Sequence, residues 1–553
     1  MICKIPREGF QSHLERSDAS LRLSSSHTEF RGVEMKTNHT INVFTICAML
    51  LGLQLIAVAQ ETRKPSSRCN PNGATFNFAP LVNASLHGQA NESVGFMLGR
   101  GGNGNDLVVG AALDYRFNAL FPGEAYYVER DETNCAPDFE GAPPAIGEFG
   151  AFTGYPHVVA DVAHDAFFIA DTRLSSDGQG VGIIKSTAAN LLNAANCPNG
   201  TQSGTALCWN TGGVANIVPL NSTLFSPSIS VDQRTKGAGA GDVYVTVSQQ
   251  QPGTGNYQIS LTACTNATIT CSASVIVSGA DLSALWSDVQ VRPDGVITIS
   301  YANRLLSGRD ISENQVRFVN CTPQGAPNPP KCSAPIAVVN EMHPGVVAAG
   351  DRLSSGDAAY PQHVNRLEGD GKTITTFLIY DQCAVQTYDN DHTTFIQVCP
   401  KTQVVMAFST NSGNTWSPLA VVSPKTPGQQ FLSAIALDQS TGTVNIAYYS
   451  SQNDKLKTRT QVYLAQVPGG QTAVSAINQV TETLYDGPTG FSGLSTYNGD
   501  TISCNCDYIG VAAAGTGQKG QSRVYIHFTG GTDGSFNGQA FPIYTNMLTR
   551  FDY

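Results

Sequence analysis

Aspartate and arginine side chains recur at the ends of predicted strands in this chain. Three segments place such groups close together, Asp114-Tyr115-Arg116, Asp171-Thr172-Arg173 and Asn303-Arg304. An arginine guanidinium binds a ligand carboxylate through two parallel hydrogen bonds. A carboxyl group whose pKa is raised by its surroundings can transfer a proton near neutral pH. If the fold brings these segments together, they form a polar ligand site.

Other polar side chains lie at the same kind of position, just before or just after a predicted strand. They are Tyr155, His157, Asp288, His363, Asp381, Asp507 and Tyr508. Charged groups that converge on a concave surface are typical of a ligand site. The structural alternative is that Asp and Asn hydrogen-bond the turn backbone at strand ends and that the arginines only pair with them.

A repeated pattern indicates the elements that would position these side chains. An alternating apolar run, a turn rich in Asp, Gly or Asn, and a second alternating run together predict a β-hairpin. Copies begin about 55–75 residues apart, and several add a second hairpin. Four sequential antiparallel strands are the blade of a β-propeller. The seven copies begin at Ser93, Pro156, Pro227, Ser287, Pro361, Leu432 and Asp507.

We therefore predict an all-β fold, a propeller of four-stranded antiparallel blades, with seven blades favoured over six. Residues 60–90 form an N-terminal segment and residues 91–553 a single propeller domain. The alternative, a string of β-sandwich domains, predicts linkers and periods of roughly 100 residues. In a propeller, the loops before first strands and after second strands share one face. The polar side chains named above would then meet at the mouth of the central channel.

Residues 1–59 are predicted to be an N-terminal extension plus a signal peptide. The apolar run 41–59 ends in Ala57-Val58-Ala59, a small-residue cleavage signature, and translation is predicted to start at Met35. Cleavage after Ala59 would give a secreted or periplasmic protein with no membrane span in the mature chain. An uncleaved anchor is the alternative, because the run approaches the length of a spanning helix.

Cysteine spacing predicts disulfides rather than metal ligation. Of the 14 cysteines, Cys3 and Cys47 precede the predicted cleavage site, and an even number in an exported chain indicates pairing. The chain contains no Cys-x-x-Cys motif, which is a common signature of a zinc site. The pairing of Cys69, Cys135, Cys504 and Cys506 stays open. The close pairs are Cys197/Cys208, Cys264/Cys271, Cys321/Cys332 and Cys383/Cys399, the first three of which would staple the third strand of a blade to the fourth.

Composition and missing motifs narrow the function. Charged residues make up 14% of the chain and the net charge is −11, which disfavours nucleic-acid binding. No Gly-x-Ser-x-Gly, phosphate-binding loop or His-Glu-x-x-His is present, which argues against serine-hydrolase, nucleotide and zincin chemistry, and no cofactor is expected. Asp389 and Asp391 could ligate Ca²⁺, although a solvated loop also accounts for them. Glycosylation sequons, usable where the host glycosylates exported proteins, stand at Asn83, Asn91, Asn199, Asn221, Asn266 and Asn320.

One turn carries a family resemblance. Residues 409–416, Ser-Thr-Asn-Ser-Gly-Asn-Thr-Trp, resemble the Asp-box (BNR repeat) S-x-D-x-G-x-T-W of sialidases and related propellers, with Asn411 at the position of the usual Asp. The motif is structural: a short polar side chain caps the turn, Gly adopts a left-handed conformation and Trp packs beneath. The chain thus looks like a divergent secreted member of the sialidase superfamily.

The resemblance implies an arginine triad that clamps a sugar carboxylate, a Tyr–Glu nucleophile pair and an Asp acid. Two features depart from the family, because no Arg-Ile-Pro motif is present and one Asp-box replaces the usual several. By position, the candidates are Arg116, Arg173 and Arg304 for the clamp, Asp171 or Asp114 for the acid, Tyr508, Tyr155 or Tyr485 for the nucleophile, and Glu341 or Glu148 for its partner.

The leading hypothesis is an exported propeller that binds a glycan or another extracellular ligand on its funnel face. His157, Asp288, Asp381 and Asp507 would join the arginines in binding it. The first alternative is an active exo-glycosidase of the exo-alpha-sialidase type, which hydrolyses terminal acidic sugars. The second alternative is a structural or adhesion protein.

Overall fold

Sequential antiparallel pairing of neighbouring strands dominates the computed structural model of the chain. Within each sheet, the first strand pairs with the second and the second with the third. The structure describes residues 75–77, 89–114, 123–130, 137–198, 200–202, 207–303, 315–340, 342, 360–384, 401–424, 427–455, 459–481, 484–486, 495–497, 500–502, 509–516, 521–536 and 539–553.

The strands of blades one to four are given from the axis outward. Strand β1 (Thr75–Asn77) pairs with blade seven and is described below. Blade one consists of β2 (Gln89–Met97), β3 (Leu107–Asp114), β4 (Gly123–Glu129) and β5 (Phe139–Gly141), and blade two of β6 (Ala151–Asp161), β7 (Ala166–Leu174), β8 (Gly178–Thr187) and β10 (Thr211–Pro219), with β9 (Gly200–Gln202) parallel to β5. Blade three consists of β11 (Leu224–Val231), β12 (Val243–Gln250), β13 (Tyr257–Cys264) and β14 (Val275–Ile276), and blade four of β15 (Ala284–Val291), β16 (Ile297–Asn303), β17 (Gln315–Thr322), β18 (Lys331–Cys332) and β19 (Ile336–Val339).

Blades five to seven follow the same order. Their strands are β20 (Gln362–Leu367), β21 (Ile374–Cys383), β22 (Thr402–Ser409) and β23 (Ala420–Val421); β24 (Gln430–Asp438), β25 (Thr443–Ser450), β26 (Arg459–Val467) and β27 (Ala476–Gln479); and β31 (Gly510–Gly515), β32 (Ser522–Phe536) and β33 (Gln539–Asp552), with β28 (Tyr485–Asp486) between β26 and β32 and a separate hairpin of β29 (Ser495–Tyr497) and β30 (Asp500–Ile502).

The inner strands of the seven blades close into a ring. Each inner strand contacts the inner strand of the next blade, and β31 of blade seven contacts β2 of blade one. This arrangement confirms the predicted all-β propeller with seven blades. The rival six-bladed and sandwich arrangements are wrong. All seven copies identified in the sequence begin at or next to an inner strand.

Apolar layers between neighbouring blades hold the ring together. Val109 and Val128 of blade one pack with Phe167 and Ile169 of blade two, all fully buried. Equivalent layers separate the other blades. Each blade therefore buries both of its faces, which explains why strands such as β16 are apolar or small at nearly every position instead of alternating with charged residues.

The ring closes through the N-terminal strand. Strand β1 pairs antiparallel with β33, Thr75 opposite Thr549, so it supplies the outer strand of blade seven. An ion pair reinforces the closure, because Arg523 of blade seven donates to the buried Asp106 of blade one at 2.8 Å and the Tyr525 hydroxyl donates to the same carboxylate at 2.9 Å. The ends of the propeller thus meet in one blade.

Three disulfides formed by described cysteines match the predicted close pairs. They join Cys197 to Cys208, Cys264 to Cys271 and Cys321 to Cys332. The first lies in the connection from the third to the fourth strand of blade two, after a short helix, α1 (Ala188–Leu192). Cys383 is also disulfide-bonded, while Cys399, Cys69, Cys135, Cys504 and Cys506 lie outside the described residues.

The turn that resembles the Asp-box joins the third and fourth strands of blade five. Asn411 accepts a hydrogen bond from the Thr415 N–H at 3.0 Å, and the Trp416 indole donates to the Gly413 carbonyl at 2.9 Å. Gly413 has a φ of 80°, which a side chain would strain. Trp416 packs edge-on against Phe318 of blade four, with ring centroids 5.2 Å apart. An amide at position 411 therefore caps this turn.

In the part of the chain that the structure describes, no helix is long and apolar enough to cross a bilayer.

Replacing Thr75 and Phe76 together by proline should open blade seven at its outer edge. Proline donates no backbone hydrogen bond to a ladder, so β33 loses its pairing with β1 and keeps its pairing with β32. We expect the amides of residues 547–549 to exchange roughly tenfold faster in hydrogen-exchange mass spectrometry, with a lower melting temperature. Strands β12 and β13, across the ring, serve as the internal control. Unchanged exchange at 547–549 would show that β1 does not close the ring.

Candidate functional site

The inner strands surround a cavity of about 560 Å³ on the propeller axis. Tyr155, Trp286 and Tyr360 line it at the ends where the inner strands begin, and Arg234 and Arg292 line it where they end. Both arginines form ion pairs, Arg234 with Asp232 at 2.6 Å and Arg292 with Asp294 at 2.6 Å. The end that offers aromatic side chains is therefore the better candidate for recognition of an uncharged surface.

Bulges interrupt the inner strands at that end. The register with the second strand shifts near the start of the inner strand in blades one, two, three, four and six. Each of four bulges holds a non-glycine residue with positive φ, at Tyr155 (60°), Ser226 (53°), Trp286 (53°) and Leu432 (50°). Such backbone costs of order 1–3 kcal/mol per residue and persists only where the surroundings impose it. Bulges next to functional sites re-aim side chains in this way.

A repeated hydrogen bond connects neighbouring inner strands immediately after the bulges. A side chain of one blade accepts from a backbone N–H of the next blade, and we call the five acceptor side chains the girdle. The acceptor–donor pairs are Ser93 with Val158 (2.9 Å), His157 with Ile229 (3.1 Å), Ser228 with Val289 (3.2 Å), Asp288 with His363 (2.8 Å) and Gln362 with Ile435 (3.2 Å).

The residue two positions before each girdle acceptor faces the mouth of the cavity in blades two to five. These residues form what we call the rim, Tyr155, Ser226, Trp286 and Tyr360. Trp286 and Tyr360 meet edge-on with ring centroids 5.1 Å apart, and the ring centroids of Tyr155 and Phe225 are 6.3 Å apart. Tyr155 is partly exposed, while Trp286 and Tyr360 are each 8% exposed. The rim thus joins aromatic surface to the polar girdle beneath it.

Second-strand side chains hold the bulges in place. The Ser248 hydroxyl accepts from the Trp286 N–H at 3.1 Å. Asp381 accepts from the Ser433 hydroxyl at 2.5 Å, next to the bulge residue Leu432. Burial raises the pKa of Asp381 to about 6, against hydrogen bonds from Ser433 and Leu432 that lower it. Asp381, predicted to bind substrate, is 2% exposed and accepts hydrogen bonds from both the hydroxyl and the backbone N–H of Ser433.

Two other predicted site residues belong to the girdle and also line the cavity. The Nδ1 atom of His157 accepts a backbone hydrogen bond, and burial lowers the pKa of His157 although Asp288 opposes the shift. This imidazole is therefore neutral, with its proton on Nε2. Asp288 accepts from the backbone N–H of His363 and lies 3.0 Å from the Nδ1 atom of that residue. Both residues shape the site while they bind the neighbouring blade.

Asp171 and Arg173, which the sequence placed together, form a closed ion pair. Arg173 donates from Nη2 to Asp171 at 2.6 Å and from Nη1 to the Pro144 carbonyl at 2.6 Å, and its guanidinium lies over the Phe152 ring at 4.8 Å. Both side chains are 0% exposed. The guanidinium is therefore committed to Asp171 and to the Pro144 carbonyl, and it does not line the axial cavity.

Sequence reasoning missed the third member of this cluster, Glu124 at the start of β4. Burial, and then the negative charge of Asp171, raise the pKa of Glu124 well above its ordinary value, and Arg173 lowers it by less. Glu124 is fully buried. The arrangement therefore favours a neutral Glu124 carboxyl beside the ion pair of Asp171 and Arg173.

Several predicted residues lie outside the described part of the chain. For Asp114 and Tyr485 the backbone is described and the side chain is not. Glu148 is exposed in the connection between blades one and two. The described residues contain no group of three or more His, Cys, Asp or Glu side chains that could hold a metal ion. Outside the description are Arg116, Arg304, Glu341, Asp507, Tyr508, Asp389 and Asp391.

A recurring sequence pattern at the start of the inner strands marks the girdle and the rim. Aligned on the inner strands, the copies show a Pro or Ser, then the acceptor, then Val or Ile, as in Pro156-His157-Val158, Pro227-Ser228-Ile229 and Ser287-Asp288-Val289. The rim residue stands one position earlier and is aromatic in two of these three copies, Tyr155 and Trp286. Such a column, with a polar residue where a strand would otherwise be apolar, predicts a side chain that caps a neighbouring backbone group.

Comparison with known proteins gave structural similarities only. No family model and no curated protein matches the chain. Hadza microbial sialidase Hz136 is 10% identical over 81% of this chain and 76% of its own, with a TM-score of 0.37. Trypanosoma rangeli sialidase in complex with sialic acid is 10% identical over 72% of this chain and 53% of its own, TM-score 0.32. The catalytic domain of Coprinopsis cinerea GH62 alpha-L-arabinofuranosidase is 10% identical over 59% of this chain and 90% of its own, TM-score 0.29. At these values the similarities carry no inference about activity.

The Glu124→Gln variant should change the pH dependence of stability. The pKa of Glu124 in the folded protein lies above its ordinary value of 4.5. The stability that the neutral Glu124 carboxyl contributes is therefore fully present below pH 4.5. It is lost as pH rises through the folded-state pKa. Glutamine copies the shape of the neutral acid and does not titrate. We expect the variant to match the parent at acidic pH and to become progressively more stable than the parent as pH rises.

Urea unfolding between pH 4 and 8 measures this difference. Glu148→Gln, at an exposed glutamate, is the matched control and should run parallel to the parent. If the Glu124→Gln and parent curves also run parallel, Glu124 is not held neutral.

Proposed function

We propose that this protein is a secreted β-propeller that binds a glycan across the rim, at the mouth of its central channel. The observation that carries the proposal is the rim itself, which places three aromatic side chains directly above the polar girdle, two of them, Tyr155 and Trp286, on bulges. Sugar rings offer C–H faces that pack on aromatic rings and hydroxyls that hydrogen-bond to polar groups. The rim and girdle provide both kinds of contact within a few residues of each other.

Rigidity of the rim favours binding. The backbone at Tyr155 and Trp286 is held by bulge geometry, and the Trp286 N–H is tied to Ser248. A site ordered before the ligand arrives loses less conformational entropy on binding. Affinity then comes mainly from side chains that are already in place.

The compartment agrees with an extracellular ligand. The disulfides within blades two, three and four persist in oxidising surroundings. The apolar run 41–59 with its Ala-x-Ala ending supports export. Glycans of cell surfaces or of the surrounding matrix are then the accessible ligands.

Hydrolysis of a terminal acidic sugar is the second candidate, and one cluster favours it. Glu124, whose pKa is raised by burial, lies beside the carboxyl of Asp171 and the guanidinium of Arg173, and a pair of carboxyl groups with one raised pKa is what glycoside hydrolysis uses. The cluster is closed to solvent in this structure. A substrate would reach it only if the segment around Pro144, which accepts from Arg173, moved away.

Tyr155→Ala should weaken glycan binding about five- to tenfold, since a lost aromatic contact is worth about 1–1.5 kcal/mol. The measurement is an array of neutral and acidic oligosaccharides, followed by calorimetry with the best binder. Phe408→Ala, at a partly buried aromatic in the third strand of blade five, is the matched control and should bind as the parent does. A parent protein that binds nothing on the array, or a Tyr155→Ala variant of full affinity, contradicts the proposal.

A fluorogenic sialoside assay separates the two candidates. If the protein is a hydrolase, the parent turns over the substrate and Glu124→Gln abolishes turnover while melting as a folded protein. If the folded parent shows no turnover, hydrolysis is removed and glycan binding stands on the array result alone.

A further inference from the structure

The structure distinguishes sequons that look alike in the sequence. Three of the six have a described asparagine side chain, Asn221, Asn266 and Asn320. N-glycosylation requires an asparagine whose side-chain nitrogen can point to solvent and a hydroxyl two residues later. The surroundings of the three asparagines differ in this respect.

Asn266 and Asn320 direct their side-chain nitrogen into the protein. Asn266 Nδ2 donates to the fully buried carboxylate of Asp161 at 2.7 Å, and the Asn266 carbonyl groups accept from Lys185. Asn320 Nδ2 donates to the Ser412 carbonyl of blade five at 2.9 Å. A sugar on either nitrogen would have to occupy space between two blades.

Asn221 has the opposite surroundings. It lies in the tight turn between β10 and β11, where the Ser222 N–H donates to the Pro219 carbonyl at 2.9 Å. Asn221 and Thr223 are exposed, while the intervening Ser222 is 1% exposed and its hydroxyl donates to the Gln250 carbonyl. The two residues that define the sequon thus face solvent, and the residue between them anchors the turn.

Exposed apolar side chains lie beside this turn. Leu220 is 55% exposed and Ile217 is 63% exposed. A sugar attached to the neighbouring Asn221 would cover part of this apolar surface, which is otherwise a liability for an exported protein.

We propose that Asn221 is an N-glycosylation site of the exported protein, and that Asn266 and Asn320 are not. The co-substrate is an oligosaccharide carried on a polyisoprenyl diphosphate in the secretory pathway of a glycosylating host. A bond forms between Asn221 Nδ2 and the anomeric carbon, and the bond from that carbon to the diphosphate oxygen breaks. The amide gives up one proton, and the lipid diphosphate leaves with the bonding electrons.

The test uses the full chain secreted from a glycosylating eukaryotic cell line. Peptide N-glycosidase treatment in ¹⁸O water followed by peptide mass spectrometry reports the occupancy of each sequon. We expect a labelled aspartate at position 221 and unmodified asparagine at 266 and 320. An unmodified Asn221, or sugar at 266 or 320 in the secreted protein, overturns the proposal.

Matched variants give a second readout on the intact protein. Asn221→Gln and Thr223→Ala should each remove the mass of one glycan without changing the melting temperature. Thr268→Ala and Thr322→Ala, which destroy the sequons at Asn266 and Asn320, should leave the glycan mass unchanged. A Thr223→Ala variant that keeps the full glycan mass also contradicts the proposal.

Discussion

The hydrogen bonds of the girdle are the interaction on which the centre of this molecule depends. Inner strands of neighbouring blades do not share a β-ladder, so a backbone N–H beside a bulge needs another partner. In five successive blades a side chain of the preceding blade supplies it. The same contact fixes the height of one inner strand against the next. The rim, two residues before each acceptor, is thereby placed at a common level around the axis.

The girdle explains how such different side chains occupy one position. Ser93, Ser228, His157, Asp288 and Gln362 share only an acceptor atom at the required reach. Blade six has Ala434 at this position, which offers no side-chain acceptor to blade seven. Blades six and seven are joined instead by other hydrogen bonds, from the Ser522 hydroxyl to Asp438 and from the Thr529 N–H to the Tyr449 hydroxyl. The pair of Arg523 with Asp106 then joins blade seven to blade one. Ring closure and site construction therefore use different parts of the same strands.

The polar groups of this propeller are mostly spent on its own backbone. Asp381 holds a bulge, Asp288 holds the next blade and Arg173 is closed onto Asp171. Three of the four rim side chains at the mouth are aromatic, and the girdle below them carries hydroxyl, imidazole, carboxylate and amide groups. This division favours recognition of an uncharged, hydroxyl-rich surface over capture of a free carboxylate by the described residues.

The sequence predicted the blades because each copy alternates and turns in the same way, and the apolar layers require that pattern. The close cysteine pairs could be predicted because the two members of each pair are near each other in the sequence. The orientation of His157 and Asp288 could not be predicted, because a bulge shifts the strand register and redirects every later side chain. The pairing of Glu124 with Asp171 joins two blades across about forty-five positions, and no local pattern connects them. Strand β1 escaped notice because three residues carry no periodicity.

Hydrogen exchange in the Ser228→Ala variant tests the central role of the girdle most directly. The Ser228 hydroxyl accepts from the Val289 N–H and from no other backbone donor described. We predict that the amides of the segment around Val289 exchange several-fold faster in the variant, because one hydrogen bond contributes about 1 kcal/mol of local stability. Exchange in the segment around Val158 should be unchanged. Equal protection of Val289 in the variant and the parent would contradict the claim that these side-chain contacts hold the inner strands together.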